Sequence, residues 1–239
     1  MKKLVLAASL AAAVSATACT TSSKLSVTAD WTFKHIADGT ARSCPVNFDT
    51  ATVLAVPYDT LTAEVNGGLI RADLFDCDRG AGTVLVPDGQ YLMSVRIEDH
   101  AGVTTYADSE QVFVDTAFTD GFDVEILDDG GYMTFRWTLH DSLTDQRISC
   151  ADAGVTPSKG AVESVATSAS NSNRVVTDKF TCEDHYGTTA GLLAGSYTVS
   201  VEATQNDIQV GDPVNMASVP VVAPNHVTDL GHLKIPVDR

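Results

Sequence analysis

Five cysteines, six histidines and a surplus of carboxylates are the residues in this chain that could do chemistry. Thiolates can attack, ligate a metal or pair as disulfides, and an imidazole beside a carboxylate can ligate a metal or pass a proton. Spacing decides among these. Cys19, Cys44, Cys77, Cys150 and Cys182 include no close C-x-x-C pair, so a thiolate zinc site is not written here. His35, His100, His140, His185, His226 and His232 do not fall at metal-ligand spacing, and none recurs at a matching place in the repeat described below. No G-x-S-x-G elbow, H-E-x-x-H helix, P-loop or dinucleotide fingerprint occurs. The expectation is a protein without enzymatic activity, the alternative being a hydrolase whose site is assembled from loops only in three dimensions. Among the acids, Asp73, Asp76 and Asp78 surround Cys77, and Asp115, Asp120, Asp123, Asp128 and Asp129 crowd mid-chain. Asp73, Asp76, Asp78, Asp120 and Asp123 are the candidate calcium ligands, since a hard cation needs grouped oxygens. They lack the D-x-[DN]-x-[DN]-G loop order, so a solvated acidic surface, with no metal or cofactor, is expected.

The remaining question is what positions these residues. The chain has 239 residues, with 31 acidic against 15 basic side chains and a net charge of −16. That balance removes the broad attraction that nucleic acid or an anionic bilayer surface would require. Met1-Lys2-Lys3, the apolar run Leu4 to Val14 and the small residues Ser15 to Ala18 have the order of a signal peptide over residues 1–18. The apolar run is too short to span a bilayer, and no later segment is long enough. Cutting after Ala18 leaves the odd cysteine, Cys19, as the first residue, followed by a Ser/Thr-rich tether over residues 19–24. Ala16-Thr17-Ala18 before Cys19 serves as a plain A-x-A site; it also resembles the lipobox of bacterial lipoproteins, with Ala16 where that pattern usually has Leu. That resemblance implies a lipid on Cys19 and a membrane as partner, and Thr20 in place of Asp resembles lipoproteins sent to the outer membrane or cell surface.

The mature chain is written twice with a shift of about 106 residues. Trp31-Thr32 returns as Trp137-Thr138, and Ser43-Cys44 as Ser149-Cys150, thirteen positions after the tryptophan in each copy. Phe75-Asp76-Cys77-Asp78 answers Phe180-Thr181-Cys182-Glu183; Gly89-Gln90-Tyr91 answers Gly195-Ser196-Tyr197; Thr119-Asp120 answers Thr228-Asp229. Apolar residues alternate through Leu25 to Phe33, and through Met133, Phe135, Trp137 and Leu139, which is the period of a strand with one buried face. Further strands are expected at 52–56, 69–75, 91–98, 111–114, 174–180, 197–204 and 219–222, with Asn66-Gly67, Asp88-Gly89 and Asp129-Gly130 as turns. Short strands separated by turns at this spacing predict an all-β chain of two sandwiches, over 25–120 and 121–239.

Each copy resembles an immunoglobulin-like or fibronectin type III-like domain. Trp31 and Trp137 resemble the early-strand tryptophan of those modules, and Tyr91 and Tyr197 the tyrosine that fixes a corner. The pair behind its leader is similar to tandem Ig-like lipoproteins of bacterial envelopes. Unlike antibody domains, the second cysteine lies 14 or 15 positions before the tyrosine, so the bridge is not the usual inter-sheet one and is expected to tie the loop after the tryptophan strand to the end of the strand before the Pro87-Asp88-Gly89 turn. Equivalent partners in equivalent copies give Cys44 to Cys77 and Cys150 to Cys182, one disulfide per domain, as an exported location permits. The resemblance implies an adhesive, scaffolding or ligand-binding module whose partner is an envelope protein or glycan, the alternative being a structural spacer. Where the copies differ, Gly80-Ala81-Gly82 becomes Asp184-His185-Tyr186-Gly187, and 155–173 reads as a long Ser-rich loop. Tyr186 is therefore the candidate exposed aromatic of a binding loop.

Overall fold

In the computed structural model, which describes residues 24–69, 71–221 and 224–238, every regular element longer than a single turn is a β-strand. The leader and Cys19 lie outside the described residues. The first half contains β1 (Lys24–His35), β2 (Thr40–Arg42), β3 (Thr50–Asp59), β4 (Glu64–Val65), β5 (Arg71–Asp76), β6 (Ala81–Pro87), β7 (Gln90–Glu98), β8 (Thr105–Asp108), β9 (Val112–Asp115) and β10 (Gly121–Leu127). The second contains β11 (Gly130–Asp141), β12 (Arg147–Ile148), β13 (Gly160–Ser168), β14 (Val175–Phe180), β15 (Tyr186–Thr188), β16 (Leu192–Leu193), β17 (Gly195–Gln205), β18 (Ile208–Gln209), β19 (Val214–Val221) and β20 (Val227–Val237).

Both halves use one plan. β1 is the centre of its sheet, antiparallel to β6 and β2 along one edge and parallel to β10 along the other. β11 likewise has β12, β15 and β16 on one edge and parallel β20 on the other. The facing sheets are β5-β3-β7, extended by β8 and β9, and β14-β13-β17, extended by β18 and β19. The alternating residues of β1, Val27, Ala29, Trp31 and Phe33, pack with Val53, Met93, Val95 and Ile97 from the facing sheet. Met133, Phe135, Trp137 and Leu139 do the same in the second core, against Val162, Val199 and Val201.

The landmarks repeated in sequence are the corners of these cores. The indole of Trp31 donates to the Cys77 carbonyl at 2.9 Å and that of Trp137 to the Cys182 carbonyl at 3.2 Å. Cys77 is bonded to Cys44 and Cys182 to Cys150, each pair with a Cα separation of 6.0 Å. The phenols of Tyr91 and Tyr197 each donate at 2.9 Å to a carbonyl four residues back, those of Pro87 and Leu193, which fixes the turn entering β7 or β17. Gly82 and Gly187 lie under Phe75 and Phe180, where a Cβ would fall within 2.6 and 2.8 Å of the ring carbons; only glycine fits.

Four expectations change. The boundary at 120/121 moves to Asp128-Asp129, because 121–127 form β10, which pairs with β1 and buries Phe122, Val124 and Ile126 in the first core. The Ser-rich stretch is not one long loop: 160–168 form β13, a central strand whose buried side is Val162, Ser164, Ala166 and Ser168. Cys77 sits at the end of β5, and β6 intervenes before the turn at Asp88-Gly89. Finally, Thr134 and Thr138, placed on the solvent side by alternation, are buried.

Closing a loop of 32 residues is worth roughly 3 to 4 kcal/mol in the chain-entropy model. A Cys150→Ser/Cys182→Ser variant is expected to lose about that much in a denaturant titration of the second half, with the first-half bridge intact by peptide mapping.

Candidate functional site

The junction between the two sandwiches is built from the turn that differs between the copies. In the first, the single helical turn Cys77–Arg79 ends on Gly80, left-handed at φ 68°. In the second, Cys182–Asp184 ends on His185, which holds the same conformation at φ 53° despite its side chain. The next residue, Ala81 in one copy and Tyr186 in the other, starts the returning strand. Tyr186 is 6% exposed, so it is not the solvent-facing aromatic its loop position suggested. It packs with Tyr58, Leu92 and Phe113 of the first sandwich. Tyr58 stands edge-on to both Tyr186 and Phe113 at 6.0 Å between ring centres. The Tyr58 phenol donates to the His185 carbonyl at 2.7 Å, and the Tyr186 phenol donates to Gln111 Oε1 at 3.0 Å. Thr188 Oγ1 closes the set by donating to the Gln111 carbonyl at 2.7 Å. Burial pushes both phenols above the usual tyrosine range, so they remain donors at every physiological pH.

A second contact fixes the junction from the other side. Ile36, just after β1, lies against Gly130 and Gly191, where an added Cβ would come within 2.8 and 2.9 Å of its terminal carbon. Tyr132, the third residue of β11, donates to the Glu125 carbonyl at 3.0 Å. Beneath it the Glu110 carboxylate accepts the Glu125 N–H at 3.3 Å. Desolvation raises the Glu110 pKa, and the neighbouring Glu125 charge adds to this.

Of the openings near the aromatic cluster, a small one of about 150 Å³ is lined by Leu92 and Tyr186 themselves, and two are larger. One is a groove of about 660 Å³ lined by Thr60, Leu61, Arg147, Ser149, Glu183 and His185. The His185 ring donates from Nδ1 to the Trp137 carbonyl at 3.1 Å, which assigns the tautomer and leaves Nε2 an acceptor. Burial pulls the His185 pKa down and holds the ring neutral. No ion pair to Arg147 or Glu183 occurs among the described residues, and Leu61 on the rim is 82% exposed. An exposed guanidinium fork, a carboxylate, a neutral imidazole and an apolar rim can bind a polar ligand. The other opening, about 260 Å³, is lined by Ser94, Arg96, Asp108, Gln111 and Asp229, with Arg96 Nε at 2.7 Å from Asp108 Oδ1.

The candidate calcium ligands are not gathered. Asp76, Asp78, Asp120 and Asp123 are exposed, and Asp73 lies half-buried on β5. Among the described residues, the one group of three ligating side chains within 4.8 Å is His35 with Asp128 and Asp129. Cys19 lies outside the described residues. The turn at 184–187 shows in the sequence as a departure from the repeat, whereas no sequence signal marks Tyr58, Gln111 or Arg147.

No family model matches the chain, and no curated protein matches it. Solved structures similar to it include a leucine-rich repeat protein from Bacteroides thetaiotaomicron at 13% identity and TM-score 0.38; the match covers 91% of this chain and only 27% of that one. The fimbrial anchor protein Mfa2 of Porphyromonas gingivalis matches at 12% identity and TM-score 0.28, over 88% of this chain and 90% of that one. The FN1–FN3 domains of chicken CNTN1 match at 11% identity and TM-score 0.25, over 76% and 61%. At such scores the functional reading rests on this chain's own residues.

Removing the Tyr186 ring opens the buried cluster. Tyr186→Ala is expected to cost about 3 to 5 kcal/mol and to split one calorimetric transition into two, whereas Tyr58→Phe, which loses one hydrogen bond, costs about 1 kcal/mol. Because the raised Glu110 pKa opposes folding when the group is ionised, Glu110→Gln is expected to raise Tm at pH 7. The gain shrinks as pH falls through the raised pKa towards the ordinary value of 4.5, where wild type regains its proton.

Proposed function

We propose that this chain is an exported, non-enzymatic envelope protein that presents a rigid pair of β-sandwiches as an adhesive, scaffolding or ligand-binding module, held at the membrane by a lipid on Cys19. The observation that carries the reading is the junction groove, where Arg147, Glu183 and neutral His185 line one opening of a locked interface. A site between two modules that cannot swing apart is preorganised, which lowers the ordering cost of binding. Side chains of this kind suit a glycan or a polar segment of another envelope protein. Two disulfides support export, since such bonds persist in oxidising compartments. The anchor sets the geometry. β1 begins at Lys24, five positions after Cys19, a reach of about 17 Å at most. Its 12 residues then run roughly 40 Å from that start to the junction, which would hold the groove clear of the bilayer.

Metabolic labelling with a lipid analogue and membrane fractionation of wild type and Cys19→Ser test the anchor: label and membrane association are expected in the first and absent in the second. Immobilised glycans and purified envelope proteins test the groove. Arg147→Ala is expected to weaken at least one interaction about tenfold, the equivalent of roughly 1.4 kcal/mol. If wild type binds none of them, the chain is a spacer.

A further inference from the structure

Where the first sandwich hands the chain to the second, three ligating side chains converge that are far apart in sequence. β1 ends on His35, and β10 runs parallel beside it with Lys34 opposite Leu127. That register delivers the next two residues, Asp128 and Asp129, to His35. The three ligating atoms all lie within 4.8 Å of one another. His35 Nδ1 is 3.0 Å from Asp129 Oδ2 but outside hydrogen-bonding geometry, so this buried nitrogen has no hydrogen-bond partner. Asp128 Oδ1 is also buried and unpartnered. With the ring proton on Nε2 both orphaned atoms present lone pairs, and two such acceptors in one small space are costly unless something bridges them.

We infer that His35, Asp128 and Asp129 form a binding site for a first-row divalent cation of the zinc type. The donor set is one imidazole nitrogen with carboxylate oxygens, which suits zinc and its neighbours and not calcium, which takes six or more oxygens. Tetrahedral zinc holds its ligand atoms roughly 3.4 Å apart, so no pair here must close by more than about 1.4 Å. Water would complete the coordination. The carboxylates are already oriented. Asp129 accepts the Ile36 and Ala37 N–H groups at 2.7 and 2.9 Å, leaving a lone pair on Oδ2. Arg42 Nε lies 3.3 Å from Asp128 Oδ2, which occupies that oxygen and leaves Oδ1 for the metal. With Asp38 3.6 Å from the His35 ring, three carboxylates face one guanidinium, and the surplus charge favours a cation. Bound there, the metal would tie the end of β1 to the two residues that link the sandwiches. The site is independent of the groove at Arg147.

The test uses the mature chain carrying Cys19→Ser, so that no free thiol competes, dialysed free of metal. Cobalt titration is expected to give the visible bands of a low-symmetry site at one equivalent, zinc to displace them, and zinc but not calcium to raise Tm. His35→Gln and Asp128→Asn should each weaken cobalt binding by at least about tenfold, while His100→Gln, at the exposed pair with Asp49, leaves it unchanged. Asp128→Asn is isosteric and its circular dichroism checks the fold, so it carries the test if His35→Gln misfolds. Wild type without saturable binding overturns the proposal, and the cluster is then a structural contact between the end of β1 and the two residues after β10. Binding that survives both variants, or that His100→Gln abolishes, overturns it as well.

Discussion

Each sandwich depends on satisfying one buried donor, the indole N–H of its tryptophan. A ring of that size supplies the largest apolar area in the core, but a buried N–H without an acceptor would cancel much of the gain. The acceptor is the carbonyl of a half-cystine, Cys77 or Cys182, and the turn that aims it is held by the bridge to Cys44 or Cys150. The turn then returns its chain to the tryptophan, whose own N–H donates to the carbonyl of Gly80 or His185. Tryptophan, bridge and turn are therefore one device, which is why they keep their spacing when most of the intervening sequence changes.

The junction comes from altering that device once. A non-glycine residue in the left-handed region costs on the order of 1 kcal/mol. His185 offsets this by anchoring its ring on the Trp137 carbonyl and presenting its own carbonyl to two donors, the Trp137 N–H and the Tyr58 phenol. With the turn still in place, the residue after it is free to differ, and Tyr186 there reaches the first sandwich. The same substitution makes the groove, since His185 lines it. Attachment and candidate binding surface share one origin.

What could be read from the sequence follows from residue size. Strands whose buried side carries large apolar residues, such as Val27 to Phe33 and Met133 to Leu139, show their period plainly. β13 does not, because Ser164, Ala166 and Ser168 fill its buried side and hide the alternation. The domain boundary was misplaced because Thr119-Asp120 and Thr228-Asp229 introduce the last strand of each sandwich instead of closing it, and a strand paired in parallel across about ninety residues leaves no local mark. Tyr186 lay at a point of divergence that the repeat made visible. Its burial did not show, because the surface that covers it belongs to the other copy. His35 illustrates the same limit: spacing tests for metal ligands assume one helix or loop, and here the register between β1 and β10 does the gathering.

Parallel pairing of first and last strands has a mechanical consequence. Because β1 and β10 run the same way, the chain enters a sandwich at one end and leaves at the other, so a second copy must sit beyond the first and not beside it. Only Asp128 and Asp129 separate β10 from β11. Two residues give no slack, and the modules meet in whatever orientation their facing surfaces allow. Glycine at 130 and 191 lets Ile36 seat between them, and the buried Tyr58–Tyr186 contact then fixes rotation about the long axis. A flexible linker of a dozen residues would have let each module bind independently, gaining reach at the cost of order. This chain has the opposite arrangement. Its one junction sets the relative position of Thr60 and Leu61 from one sandwich and Arg147, Glu183 and His185 from the other, so the groove exists only when both modules are folded together.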